Sequence, residues 1–310
     1  MYAKAIRLRE ARTLTTTVLL FLVALCCCMS ASSEEQAGMP ELPRPPRSVS
    51  LWEPYIWQAT EHNRLLRDSA STVQGSYPVQ LETVEIGRSQ MGRPLLMVTV
   101  SAVDSDRDLT KRVMVVAGQH GDEPAGMFGM IELIRQFAVS TDPSIADFMQ
   151  RVTLYIVPVA NPDGACLCRR GTENGRNMNR DWRALRTLEA ASISQAIDEA
   201  RPDVLLDLHE ETPRDRSGSF VLASQMPSAS EMVKAVRAAF GKHGYRIPVL
   251  RSGKVTNLGL LHEEFARKYG KLSLLVETKF TRDAHSNLEH RAFVHLTAVM
   301  AVVKCLAADS

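Results

Sequence analysis

Four runs in this sequence are apolar almost without interruption: RVMVVAG (112–118), RVTLYIVPVA (151–160), DVLLDLH (203–209) and KLSLLVET (271–278). A strand that is apolar at odd and even positions alike must be covered on both faces. Segments with helical spacing lie between and after these runs. They are GMFGMIELIRQFA (126–138), LEAASISQAIDEA (188–200), ASEMVKAVRAAFGKHG (229–244), GLLHEEFARKYG (259–270) and EHRAFVHLTAVMAVVKCLAA (289–308). Arg201-Pro202 stops the second, and a glycine lies past the end of the third and fourth. Upstream, LETVEIGRS (81–89) and RPLLMVTVS (93–101) read as a hairpin turning at Gln90–Gly92. Buried strands alternating with helices predict an α/β fold: one domain over 51–308, with a mixed, mostly parallel central sheet and helices on both faces.

The N-terminal residues are of another kind. Lys4, Arg7, Arg9 and Arg12 precede the apolar run VLLFLVALCCCM (18–29), and SAS follows at 30–32. A basic stretch, a short apolar run and small residues form the pattern of a signal peptide, read here as residues 1–31. The run falls short of the ~20 residues that span a bilayer. Export to the periplasm or the medium is therefore expected, with membrane contact only through an uncleaved or lipidated N-terminus. Leu25, not a small residue, precedes Cys26, so lipidation at Cys26–Cys28 is not favoured. Residues 32–50, SSEEQAGMPELPRPPRSVS, read as an exposed linker. Beyond it only Cys166, Cys168 and Cys305 remain, which is no disulfide framework. A net charge of +2, with no basic cluster interleaved with aromatics, gives no reason to expect a nucleic-acid partner.

The ends of the buried runs carry the chemistry. The first leads into His120 and Glu123, spaced H-x-x-E. The third ends in His209, and the fourth reaches Glu277. In open α/β sheets ligands bind outside the carboxyl ends of the strands, so these four residues are expected on one rim. Two histidines and one carboxylate make a catalytic zinc set that leaves a position for water, and a further carboxylate can serve as general base. Any one of these residues alone is more simply explained as a strand end or a structural histidine; their shared placement favours a metal site. Between them lies NPDGACLCRRGTENGRNMNRDW (161–182). NPDG reads as a tight turn. Taken singly, its arginines fit a solvated loop. Beside a metal, an Arg–Asn pair could hold a free carboxylate, and another arginine could stabilise an oxyanion.

With these pieces in place, residues 80–280 resemble the zinc carboxypeptidase family, the superfamily of carboxypeptidases A and B. GRSQMGRPL (87–95) resembles the family's G-x-S-x-x-G-R-P hairpin, HGDE its H-x-x-E, and NPDG is identical to its counterpart. GRNMNRDW (175–182) resembles G-x-D-x-N-R-N-[FW]. The resemblance implies one zinc per chain on His120, Glu123 and His209, with Glu277 as general base. It implies that Asn179 and Arg180 bind the terminal carboxylate of a peptide or peptidoglycan stem peptide, that Arg170 stabilises the oxyanion, and that Tyr245 is the family's mobile tyrosine. Asn177 stands where the family has an aspartate behind the first zinc histidine. Its amide oxygen can accept the same hydrogen bond without charge, and Asp181 or Asp207 could supply the missing charge. The same scaffold carries the succinylglutamate desuccinylase and aspartoacylase branch, so a zinc-dependent N-acyl amino acid deacylase is the alternative activity. A non-catalytic peptide-binding module is a second alternative, raised by Asn177. The specificity pocket is expected within 245–265, with Glu263 and Glu264 on a solvated helix face.

Overall fold

A computed structural model describes residues 42–70, 77–211, 218–251, 258–279 and 288–308. The expected signal segment and most of the expected linker lie outside these residues. The part of the linker that is described does not hang free. Leu42 is buried in the core, Pro45 is buried, and the carbonyls of Pro43 and Pro46 accept hydrogen bonds from Tyr55 Oη and Trp52 Nε1. The packed body therefore includes Leu42.

The hairpin forms as β1 (Val79–Arg88) and β2 (Pro94–Ala102), turning at Gly92, whose φ of +77° suits glycine. The four apolar runs become β3 (Lys111–Ala117), β4 (Val152–Val157), β5 (Val204–Glu211) and β8 (Leu272–Lys279). Two short strands, β6 (Phe220–Ala223) and β7 (Val249–Arg251), complete an eight-stranded sheet of order β1-β2-β4-β3-β5-β8-β6-β7. The central β4-β3-β5-β8 block is parallel, and β2 and β6 flank it antiparallel.

Helices cover both faces. Against one face pack α1 (Trp52–Ala70), α2 (Pro124–Val139), α6 (Ala229–Lys242) and α8 (Leu288–Ala308), together with Val113, Val115, Leu206 and Leu274. Against the other pack α5 (Leu188–Ala200) and α7 (Leu261–Tyr269), with Met114, Val116 and Leu205. Short helices α3 (Pro143–Met149) and α4 (Pro162–Cys166) fill connections. Helix α8 is long and apolar enough to cross a membrane, but Val294, Ala298, Val299, Val302 and Val303 are buried in the core, as befits a central helix. Helix α1 is additional to the elements expected from the sequence. It buries Trp52, Tyr55, Ile56, Ala59, Asn63 and Leu66 at helical spacing.

From β3 the chain goes to β4 on one side, then crosses to β5 on the other. That reversal opens a crevice at the carboxyl end of β3. Two turns close its floor. Gly118, with φ +71°, ends β3, and its carbonyl accepts the Asn161 N–H. NPDG is not a free turn as expected: it starts α4, with Asn161 as N-cap. Asn161 Oδ1 accepts from Gly164 N–H, and its Nδ2 donates to the Gln119 carbonyl. Asp163, fully buried, takes hydrogen bonds from Ser89 Oγ, Met91 N–H and Arg93 Nη1, pinning the hairpin to the same floor. Gly121 and Gly164 meet where the two turns cross. A Cβ on Gly121 would lie 1.9 Å from the Gly164 carbonyl carbon and 2.1 Å from Ala165 N. Backbone cannot yield as a side-chain tip can. Gly121→Ala is therefore expected to destabilise the fold by at least ~3 kcal/mol, lowering Tm by roughly 6 °C or more in thermal unfolding followed by circular dichroism.

Candidate metal centre and active site

Two strand ends deliver the three expected ligands to one point. His120 and Glu123 lie in the loop between β3 and α2, and His209 lies near the end of β5; all three are buried. Both histidines turn Nδ1 inward, His120 to Glu123 Oε1 at 2.8 Å and His209 to Glu123 Oε2 at 2.8 Å. Their ring centroids are 4.8 Å apart, and one ligand atom from each residue falls within a 4.8 Å span. Two imidazole nitrogens and a carboxylate oxygen converging in a buried site form a donor set suited to zinc.

The surroundings favour a charged Glu123. Its burial opposes ionisation, but the two histidines outweigh that and hold the carboxyl well below its usual range. Glu210 N–H and Arg170 Nη1 add hydrogen bonds of 3.0 and 2.6 Å. Asp207, on the same side of β5 two residues before His209, is likewise buried yet kept ionised by His209 and His262. His209, despite full burial, is raised well above its ordinary pKa by Asp207 and Glu123.

Glu277 sits directly beside His209 in the parallel β5–β8 register, so the two side chains share a face of the sheet. It lies inside β8, which runs on to Lys279. Burial pushes its carboxyl up to about 8, and Oε2 has no hydrogen-bond partner among the described residues. Arg170 reaches over the ligand cluster through Glu123 and leaves nearly half its side chain exposed. The back nitrogen of His120 meets Asn177 Oδ1 at 2.9 Å, the contact expected for that position.

Other expected residues are placed differently. Asn179 is buried behind His209: its Nδ2 is 3.1 Å from His209 Nε2, and its Oδ1 accepts the Leu261 N–H. Arg180 lines a cavity of about 390 Å³ with Arg176, Asn177, Arg183 and Arg186, and its Nη1 donates to the Asn179 carbonyl. Tyr245 packs with Phe240, His243, His290 and Phe293 in an aromatic cluster of α6 and α8, and its ring contacts include none of the candidate site residues. Asp181 is spent on Thr187, accepting from its N–H and hydroxyl. Glu263 and Glu264 are not a solvated face: both are buried, and Glu264 binds Arg183 and Arg267. Among the described residues Cys166, Cys168 and Cys305 form no disulfide.

Two groups of site residues escaped the sequence reading. Gln119 touches both Asp207 and His209, and its neighbour in chain order, His120, was the only hint. Glu210, fully buried beside His209, binds Arg291, Thr278 and the Ala125 N–H at the start of α2. Nothing local in the sequence distinguishes it from Glu211.

Comparison with known proteins agrees with this geometry. Residues 66–204 match the family described as zinc carboxypeptidase. Over these residues the chain is similar to zinc carboxypeptidases. It is 34% identical to carboxypeptidase D of Drosophila melanogaster over 110 residues, covering 34% of this chain and 8% of that protein. It is 31% identical to carboxypeptidase E of Caenorhabditis elegans over 115 residues, covering 32% of this chain and 24% of that one. The chain thus spans a quarter or less of the length of these relatives. Among solved structures, a metallo-carboxypeptidase from Burkholderia cenocepacia superposes with a TM-score of 0.65 at 25% identity, covering 74% of this chain and 66% of that one. Thrombin activatable fibrinolysis inhibitor superposes with a TM-score of 0.67 at 14% identity, covering 89% and 79%, a likeness of fold. Zinc carboxypeptidases use one zinc, and His120, Glu123 and His209 are the His–Glu–His group present here.

Glu123 and Asp207 give the metal-free domain an acid-sensitive centre. Unfolded, these carboxyls would titrate near 4.5 and 3.8; folded, they stay ionised well below that. The unfolded chain therefore binds more protons as pH falls through that range, and acid favours it. The contribution of these two carboxyls to stability, measured by urea unfolding, is expected to fall steadily below about pH 4.5. The fall should be shallower in Asp207→Asn.

Proposed function

We propose that this protein is a zinc-dependent metallocarboxypeptidase that removes C-terminal residues from peptides, with peptidoglycan stem peptides within its range, and that it acts outside the cytoplasm. The observation that carries this reading is the convergence of His120, Glu123 and His209 beside a largely buried Glu277 on the next strand, whose Oε2 has no hydrogen-bond partner among the described residues. The signal-like pattern of residues 1–31 supports export.

His120 Nδ1, His209 Nδ1 and the Glu123 carboxylate would hold zinc. When bound, zinc polarises the scissile carbonyl and brings water acidity towards a pKa of about 7. Glu277 takes the proton of the attacking water and delivers it to the leaving amine. A carboxyl raised by burial is suited to both halves of that exchange. Arg170 donates from the open side of the site to the developing oxyanion. Arg180 offers a planar fork to the terminal carboxylate, with Arg176 reinforcing the positive field of the same cavity. A requirement for that carboxylate makes the enzyme an exopeptidase. Asn179 supports His209 from behind in this arrangement, which leaves the grip on substrate to the arginines.

Two substitutions separate these roles. Glu277→Gln is expected to lower kcat by about 10³-fold or more while zinc content by elemental analysis stays at one per chain. Arg180→Met is expected to raise KM for peptides with a free C-terminus by at least about tenfold, with a much smaller effect on C-terminal amides. Hydrolysis of N-acyl amino acids in place of peptides by the zinc-loaded parent would move the assignment to the deacylase activity. Full turnover by Glu277→Gln would sink the site assignment itself.

A further inference from the structure

The two ring nitrogens of His209 face different surroundings. Nδ1 faces Glu123 and the position a metal would take. Nε2 faces three side-chain atoms: Asp207 Oδ1 at 3.0 Å, Asn179 Nδ2 at 3.1 Å and Gln119 Nε2 at 3.2 Å. The orientation of both amides is fixed by independent partners. Asn179 Oδ1 accepts the Leu261 N–H at 3.2 Å, so its NH₂ faces the ring. Gln119 Oε1 accepts the Trp182 indole N–H at 2.6 Å, so its NH₂ faces Asp207, at 2.5 Å, and the ring. A backbone N–H and an indole N–H only donate, so flipping either amide would set donor against donor. Of the three atoms around Nε2, only Asp207 Oδ1 can accept. With Nδ1 given to a metal, the remaining proton of His209 would sit on Nε2, and Asp207 Oδ1 is the acceptor that faces it.

His120 is supported differently. Its back nitrogen meets the neutral amide oxygen of Asn177, which is itself held in place by the Asn179 N–H at 3.0 Å. The site thus has one carboxylate behind its histidines, and it lies behind the second rather than the first. Asp207 is fully buried, and its Oδ2 faces His262 Nδ1 of α7 at 3.6 Å.

We propose that Asp207 is the positioning residue of the metal centre: it fixes the tautomer and angle of His209 and strengthens it as a zinc ligand, in place of the charge that Asn177 lacks. This rests on the zinc reading above and goes beyond it. A carboxylate behind a ligating histidine raises the ligand's basicity, and its loss ordinarily costs about 10–100-fold in metal affinity.

The test is a charge swap, read as the zinc Kd from competition with a chromophoric chelator. Asp207→Asn should weaken zinc binding by about 10–100-fold and Asn177→Asp should tighten it, so that the double variant returns to within about threefold of the parent. A residue with only a packing role would not be rescued by a charge placed behind the other histidine. An Asp207→Asn protein that folds and binds zinc within about twofold of the parent overturns the proposal, as does a loss that Asn177→Asp leaves unrepaired. A second measurement needs no variant. In the zinc-loaded parent labelled with ¹⁵N-histidine, His209 should show a protonated Nε2 and a metal-bound Nδ1; the reverse assignment overturns the proposal. Zinc stoichiometry of the parent tests the underlying reading separately: a parent that takes up zinc while the swap has no effect leaves that reading standing and removes only the role of Asp207.

Discussion

The centre depends on one buried carboxylate. Glu123 accepts hydrogen bonds from the Glu210 N–H and Arg170 Nη1 and faces His120 Nδ1 and His209 Nδ1 at 2.8 Å, four contacts from three separate segments of the chain. A carboxylate out of water is costly unless its lone pairs are matched, and here each contact comes from an element the sheet has already placed. The β3–α2 loop, the end of β5 and the arginine after α4 are therefore locked to one another. A divalent cation entering this cluster would meet the Nδ1 atoms of two imidazoles and the Glu123 carboxylate.

That arrangement needs close contact between loops, and glycine provides it. Gly121 and Gly164 touch backbone to backbone, while Asn161 and Asp163 tie the same corner to the Gln119 carbonyl and to the β1–β2 hairpin. The three motifs singled out in the sequence, GRSQMGRP, HGDE and NPDG, are thus one packed unit beneath the ligands rather than three neighbouring turns. Behind the candidate ligands, Trp182 donates to Gln119 and Gln119 donates to Asp207, whose Oδ1 lies 3.0 Å from His209 Nε2. Each member has a single orientation that satisfies its neighbours, which gives the histidine a fixed ring angle before any metal binds.

Much of the fold was legible because burial leaves a plain mark on composition. Strands covered on both faces are apolar at consecutive positions, and β3, β4, β5 and β8 all show it. The ligands were legible because metal chemistry restricts residue types and the strand ends fix where they fall. Helix α1 has a clear apolar period in Tyr55, Ile56, Ala59 and Leu66, but it follows a proline-rich stretch that masks its start. The described end of that stretch docks on α1 through Leu42 and two carbonyls, contacts with no local signature. The surroundings of Tyr245 likewise have no local signature: its neighbours Phe240, His290 and Phe293 are set by the packing of α6 on α8.

The sequence by itself determined the α/β layering, the hairpin, the zinc-type ligand set and the carboxylate that accompanies it, because each depends on hydrophobic period or on residue chemistry within a few positions. Tertiary structure alone decided which partners the buried polar groups find. Asn179 lies behind His209 rather than facing open space, Glu264 is buried against two arginines, and of the two acids that could offset Asn177, Asp181 is taken by Thr187 while Asp207 reaches the ligand histidine. The reason is that a hydrogen bond is fixed by distance and direction between groups far apart in the chain. Residue type limits what such a group can bind, and only the packed sheet brings one partner within reach.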